Sequence, residues 1–419
     1  MNSARAYHTA TLLQDGQVLM TGGHDGNGVV VSAEIFDPAT ETFLSLKNVM
    51  SAARYQHTAT LMPDGRVVII GGRPGVSAAN LATAEIFDPV TQTFDLLGPM
   101  IEARSAHTAT LLANGNILVT GGATASAELF DPVSGNFRPT ANSMSVIRSY
   151  HTATLLPDGT VLIAGGFTSN AGTATAELFD PATETFTALA SSMSTVRYLH
   201  SATLLSDGKV LLAAGASNGF ANLKNADLFD PALQTFSRLL PDSITTARFA
   251  HTATLLPNGK VLLAGGHSLT FRTETAEVFD PGTGRFTALL PQTMTWVREG
   301  HTATLLSGGR VLIAGGFTST RGYTSEASLA PTRTAEIYDS AAKISGFPSQ
   351  AIRAITFPDG RLVIDGNTTP NRDVVIYSSS NLTSFSYWVA LTADGNGMFR
   401  YDGVGGGLPV RSFFRIFLP

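Results

Sequence analysis

The sequence predicts an all-β chain, a seven-bladed β-propeller followed by a small C-terminal module like a β-sandwich. Three observations predict it. The string His-Thr-Ala-Thr-Leu-Leu recurs with small changes, its histidine at positions 8, 57, 107, 151, 200, 251 and 301. A spacing near 50 residues belongs to propellers, solenoids or arrays. Within each unit, short apolar or β-branched runs alternate with Gly, Pro and Asp, and no run reaches helical length.

The fourth unit shows how each element arises. Alternation places His151, Ala153 and Leu155 on one face of a first strand, with Thr152, Thr154 and Leu156 on the other. Its small residues suit a crowded axis. Pro157-Asp158-Gly159 turns the chain, since proline presets its φ and glycine takes the left-handed position. Thr160–Gly166 is a second run, short and apolar or β-branched, read as a strand. The Gly165-Gly166 pair at its end removes side chains where backbones approach closely. A loop of variable length leads to a third strand over Thr175–Phe179. Asp180-Pro181 starts another bend, and a fourth strand around Phe186 returns at the wide outer rim. One unit cannot bury both faces of its sheet, so units need neighbours.

Seven Arg-x-x-His units imply seven blades over residues 1–344. The seventh keeps Glu336 and Asp339 but lacks the Thr-x-Thr-Phe of a fourth strand. Met1 stands four residues before Arg5, as Met50 stands four before Arg54, so the chain starts inside a link. An outer strand, and with it a secretion signal, is expected upstream. Residues 345–419 lose the repeat. Asp373–Leu382, Ser386–Gly397, Met398–Gly403 and Ser412–Pro419 read as strands split by turn residues, as in the small β-sandwich modules that close many secreted bacterial proteins. Ala351–Asn367 echoes the repeat, with Ile355 near the histidine position, so an eroded eighth blade plus tail is the alternative.

Composition narrows the function classes. Hydrophobic residues make up 43% of the chain and charged residues 14%, enough for a large core and too little charge for a disordered chain. The net charge of −5 supplies no basic field for nucleic acid. No apolar run approaches the roughly 20 residues that span a bilayer. There is no cysteine, which excludes disulfides, thiolate catalysis and cysteine-ligated zinc.

The repeated Gly-Gly, the Glu-Φ-Φ-Asp-Pro string, the following aromatic and the Arg three before the His resemble the kelch motif. The form Arg148-Ser149-Tyr150-His151 with its Pro-Asp-Gly turn is similar to the central propeller of galactose oxidase and its relatives. Kelch blades usually carry Trp in the last strand, where this chain has Phe43, Phe94, Phe137, Phe186, Phe236 and Phe286. The resemblance implies a copper site near the axis with a Tyr-His pair among its ligands, and Tyr7-His8 and Tyr150-His151 match that local string. It also implies a Cys cross-linked to a ligand Tyr and a further His from the C-terminal domain. This chain has no Cys, and no His follows His301. The radical cofactor is therefore not expected.

A residue repeated in every blade serves what every blade shares. The repeated Arg, His, Glu and Asp are accordingly expected to be structural, with no catalytic residue, metal or cofactor assigned. Function is expected where the repeat breaks, on the face holding the interblade links and the loops between second and third strands. Aromatics recur there at Tyr7, Tyr55, Tyr150, Tyr198 and Phe249, with Trp296 close by. Such rings stack on sugars or anchor peptides; the plain alternative is that they plug the channel. Glu299 holds the equivalent place in unit seven, and Arg73, His267, Phe167 and His24-Asp25 begin neighbouring loops. The long insertion Phe317–Arg333 offers Arg321, Tyr323 and Glu326. His24–Gly28 and Ala393–Gly397 hint at calcium loops but lack the full acidic set, so turns are expected. The expected function is a non-catalytic binding or scaffold propeller, monomeric and extracellular or on the cell surface, recognising carbohydrate or protein. The alternative is a copper carbohydrate oxidase related to galactose oxidase, without the Cys-Tyr cofactor.

Overall fold

A computed structural model describes residues 1–240, 243–268, 271–289, 294, 297–318 and 330–339, together with backbone strands in the C-terminal region. Six four-stranded antiparallel sheets and one three-stranded sheet follow one another along residues 1–339, each a meander in chain order. Blade 4 is typical: Thr152–Leu155, Val161–Ala164, Ala176–Asp180 and Thr185–Ala188 pair in sequence. Among the described residues no α-helix occurs, and the only helical turns are two short 3-10 segments.

The core lies between blades. Second strands are buried along their whole length, as in Val161–Ala164. Val161 and Ile163 pack with Leu118 and Leu129 of the preceding blade, while Leu162 and Ala164 pack with Val210 and Leu212 of the next. A strand covered on both faces reads as a continuous apolar run rather than an alternating one. The third-strand phenylalanine stacks on that of the fourth in six blades, as Phe179 does on Phe186 with centroids 4.9 Å apart. In blade 7 the equivalent Tyr338 lies on Ala335–Asp339, the third and outermost strand among the described residues.

The ring closes between blades 7 and 1. Val18, Met20 and Phe36 share a core cluster with Leu306, Leu312 and Ala314. The Met1 amino group donates to the Arg333 carbonyl at 2.8 Å, as the Met50 N–H does to Val31 O. Met1 thus fills the link position that the sequence assigns it.

Residues 342–419 form a separate unit. Its strands lie in two three-stranded sheets, Ile352–Thr356/Arg361–Asn367/Met398–Val404 and Ser386–Thr392/Asp373–Ser379/Phe413–Phe417. The pairing skips along the chain, unlike the sequential meander of a blade. The Ala393–Gly397 turn lies outside the described residues.

Candidate functional site

The repeated polar residues build the scaffold of the axial face. All seven repeat arginines are fully buried. Each pairs with the acidic residue of its own third strand: Arg5–Glu34, Arg54–Glu85, Arg104–Glu128, Arg148–Glu177, Arg197–Asp227, Arg248–Glu277 and Arg298–Glu336. Arg148 shows the full set. Its Nη1 donates to the Gly165 and Thr175 carbonyls at 2.7 and 3.0 Å, and its Nη2 to Thr175 Oγ1 and Glu177 Oε1 at 2.9 and 3.0 Å. The arginine therefore satisfies backbone carbonyls at the strand ends and neutralises a buried carboxylate.

The histidines join the blades. Each Nε2 meets the hydroxyl beside the preceding blade's own histidine: Thr9–His57, Thr58–His107, Thr108–His151, Thr152–His200, Ser201–His251, Thr252–His301 and, closing the circle, Thr302–His8, all at 2.9–3.1 Å. Burial, then the adjacent arginine, pushes His8, His107, His151 and His301 down to about 3 and the other three well below the ordinary histidine value. All seven are neutral rings.

A second circle lies in the residue just before each histidine. The N–H of Gln56 donates to Tyr7 O, Ala106 to Gln56, Tyr150 to Ala106, Leu199 to Tyr150, Ala250 to Leu199, Gly300 to Ala250, and Tyr7 to Gly300, at 2.8–3.4 Å. All seven adopt left-handed φ between 50 and 61°. Only Gly300 does so without steric cost, and a left-handed side chain costs about 1–2 kcal/mol per residue. The closed hydrogen-bond circle holds the other six there.

This geometry sorts the sequence candidates into two tiers. Tyr7 and Tyr150 belong to the inner circle and are half-buried. The Tyr7 ring lies over Gly300, where a Cβ would come within 2.8 Å of it, and edge-on to Phe317. Tyr150 Oη accepts a hydrogen bond of 3.0 Å from Gln56 Nε2, linking blades 4 and 2 past the small Ala106. Tyr55, Tyr198, Phe249 and Glu299 form an outer tier, each bridged through its backbone to the residue after the glycine pair, namely Arg73, Ala216, His267 and Phe317. Their surroundings are mostly filled: His24 packs edge-on against Tyr55, Phe167 against Tyr198, and His267 beside Phe249. Tyr55 and Tyr198 are buried, with 8% and 5% of their surface exposed. Trp296, Arg321, Tyr323 and Glu326 lie outside the described residues. Asp25 Oδ1 caps the backbone of Asn27 and Gly28, so His24–Gly28 is a turn.

Sequence reasoning passed over Gln56. Its signal was its place, the same in its unit as Tyr7 and Tyr150 in theirs. On the opposite face, a cleft between blades 1 and 7 is lined by Gln14, Asp15, Asp37, Pro38 and Arg310. Its arginine is already paired with Glu41 at 3.1 Å.

The repeat histidines do not fit as copper ligands. Nε2 of each is committed to a neighbouring hydroxyl, and each Nδ1 is buried without a partner in every blade alike. Among the described residues no group of three or more His, Cys, Asp or Glu could hold a metal.

The fold and these two circles define a kelch-type seven-bladed propeller that resembles galactose oxidase. Among solved structures, the chain is similar to a novel fungal alcohol oxidase of the AA5 family in complex with copper, with TM-score 0.65 and 17% identity over 96% of this chain and 91% of that one. No protein-family model and no curated protein sequence matches the chain. No helix among the described residues is long and apolar enough to cross a membrane.

Proposed function

We propose that the axial mouth around Tyr7, Gln56 and Tyr150 is the functional face and receives a hydroxyl-bearing small molecule, an alcohol or a carbohydrate. The observation that carries this reading is the Gln56–Tyr150 pair above the closed backbone circle. Together they place a phenol bonded to a largely buried amide beside the half-buried Tyr7 ring. Residues at these positions differ from blade to blade, and one differentiated site is what ligand recognition requires. The rim rings would lie on the apolar face of a sugar, while the amide and phenol would exchange hydrogen bonds with its hydroxyls.

Turnover and binding alone are the two versions of this reading. The likeness to a copper-containing alcohol oxidase supports turnover over the non-catalytic role expected from sequence. This chain's residues restrict the form of that chemistry: with no cysteine, a thioether-linked tyrosine is impossible, and Nε2 of every repeat histidine is held by a neighbouring hydroxyl. The test is metal analysis of the purified chain, with peroxide release measured against primary alcohols and galactose before and after copper loading. Copper held in stoichiometric amount with peroxide release supports the oxidase. Saturable sugar binding without either supports a binding propeller. Neither result from any alcohol or sugar removes both.

A further inference from the structure

Glycine has no Cβ to shield its own backbone nitrogen, so an Asn-Gly step is where that nitrogen most readily reaches the asparagine side-chain carbonyl. The chain has five such steps, at Asn27, Asn114, Asn218, Asn258 and Asn396. Asn396 lies outside the described residues. The other four share a dipeptide but not a geometry.

In three of them the glycine N–H is engaged. Gly115 donates to Leu112 O at 3.0 Å and Gly259 to Leu256 O at 2.9 Å, each inside the turn between a first and a second strand. Gly28 donates to Asp25 Oδ1 at 2.9 Å. A nitrogen held in this way must give up its bond before it can attack.

Asn218-Gly219 is different. It lies in the mouth loop of blade 5, in the 3-10 turn Asn218–Phe220, and both residues are exposed. The leading N–H groups of a helical turn have no acceptor within it, and Ser217 before this one supplies no side-chain cap. Gly219 N–H has no acceptor among the described residues. A Cβ placed on Gly219 would meet nothing within 4 Å, so water and base reach this position freely. Asn218 Oδ1 accepts from the Gly172 N–H of blade 4 at 2.8 Å. That bond fixes which end of the amide is the carbonyl and lies where negative charge grows as a nucleophile adds to Cγ. Asn114 and Asn258 accept comparable bonds from Asn116 and Lys260 N–H, both at 3.1 Å, so the free nitrogen is what sets Asn218 apart.

We propose that Asn218 is a self-modification site, converted in the folded protein to aspartate and isoaspartate. The Gly219 nitrogen loses its proton to solvent base and bonds to Asn218 Cγ. The Cγ–Nδ2 bond breaks, and the amide nitrogen leaves as ammonia with a proton from water. Water then opens the cyclic imide at either carbonyl. Overall, water replaces ammonia and nothing is oxidised or reduced. The Asn218–Gly172 bond ties the mouth loops of blades 4 and 5 beside the Tyr198 ring, which a Cβ on Gly172 would approach to 3.1 Å. Aspartate keeps an acceptor there and adds a negative charge at the rim. Isoaspartate reroutes the main chain through the former side chain and breaks the tie.

The full chain, held folded in mildly alkaline buffer at body temperature, tests this. Each Asn-Gly peptide is followed by mass spectrometry with fragmentation that separates aspartate from isoaspartate, and a sample in urea is followed in parallel. In urea the four steps should convert at comparable rates. In the folded chain Asn218 should convert at least about fivefold faster than Asn27, Asn114 or Asn258, the factor set by one hydrogen bond that must open. Asn218→Gln, where the attack needs a larger ring, should remove most of the acidic species that isoelectric focusing shows in the aged wild type. Conversion of Asn218 no faster than the other three in the folded chain would overturn the proposal. So would acidic species forming equally in Asn218→Gln, or an Asn218 excess that persists unchanged in urea, which would trace it to sequence and not to the fold.

Discussion

Acidification from about pH 8 to about pH 5 should unfold the propeller through its histidine circle. The seven rings are buried, neutral and tied to the next blade. In the unfolded chain each would titrate near its ordinary value of about 6.5. In the folded chain four are held at about 3, and His57, His200 and His251 also lie well below the ordinary value. Between those values the unfolded state binds more protons, so stability falls as pH falls through about 6.5 and stops falling near about 3. Each histidine contributes a slope of up to about 1.4 kcal/mol per pH unit, and the seven together about 10. Integrated to about pH 5, each costs roughly 2 kcal/mol and the set about 14, comparable with the whole stability of about 5–15 kcal/mol of an ordinary domain. Urea unfolding followed by circular dichroism at a series of pH values gives the slope. His151→Gln should lower stability at about pH 8 and reduce the slope by close to one histidine's share. A stability that is flat between about pH 8 and 5, or a slope unchanged in His151→Gln, would refute the neutral-circle reasoning.

Other perturbations follow from the same geometry. Arg148→Ala strips a buried carboxylate and two carbonyls of their donors and should cost about 3–5 kcal/mol, read as a fall in the urea midpoint without any change in mouth chemistry. Gly165→Ala should be severe, because at φ +63° its Cβ would stand 2.5 Å from Arg197 O and 2.8 Å from the His200 ring. Blade 5 carries Ala214 in that same place with φ 54° and its methyl fully buried, so Ala214→Gly sets about 1 kcal/mol of relieved left-handed strain against a lost buried methyl worth about 0.8 kcal/mol and should leave the melting temperature nearly unchanged. Tyr198→Ala, which empties a filled position beside Phe167, should lower the melting temperature and leave sugar affinity unchanged in calorimetric titration.

The propeller was legible because its signals repeat. Period, turn chemistry and the Gly-Gly pair fix the strands, and the Arg-to-Glu pairing follows from seven copies of the same two charges. The histidine circle was legible only in part. The His-Thr step recurs in six units and His200-Ser201 in the seventh, but that the bond reaches the next blade needs the ring in space. The inner backbone circle left almost no trace. Six of its members are Tyr, Gln, Ala or Leu in a conformation that residue type does not announce, and Gly300 alone hints at it. The Gln56–Tyr150 pair is 94 residues apart and two blades removed, beyond any local pattern. The aromatics of the mouth looked like one platform in sequence, because neighbouring positions in a link face different tiers once the chain turns left-handed between them.

The central claim places function on the axial mouth and leaves the repeat as scaffold. The most direct measurement compares the affinity of the best alcohol or sugar for Gln56→Ala and Tyr150→Phe with that for Asp158→Ala, whose side chain only caps a turn on the opposite face. The account predicts that either mouth substitution weakens binding by about tenfold, at little change in melting temperature, while Asp158→Ala binds as the wild type does. Full affinity in both mouth variants, or a loss confined to Asp158→Ala, would contradict it.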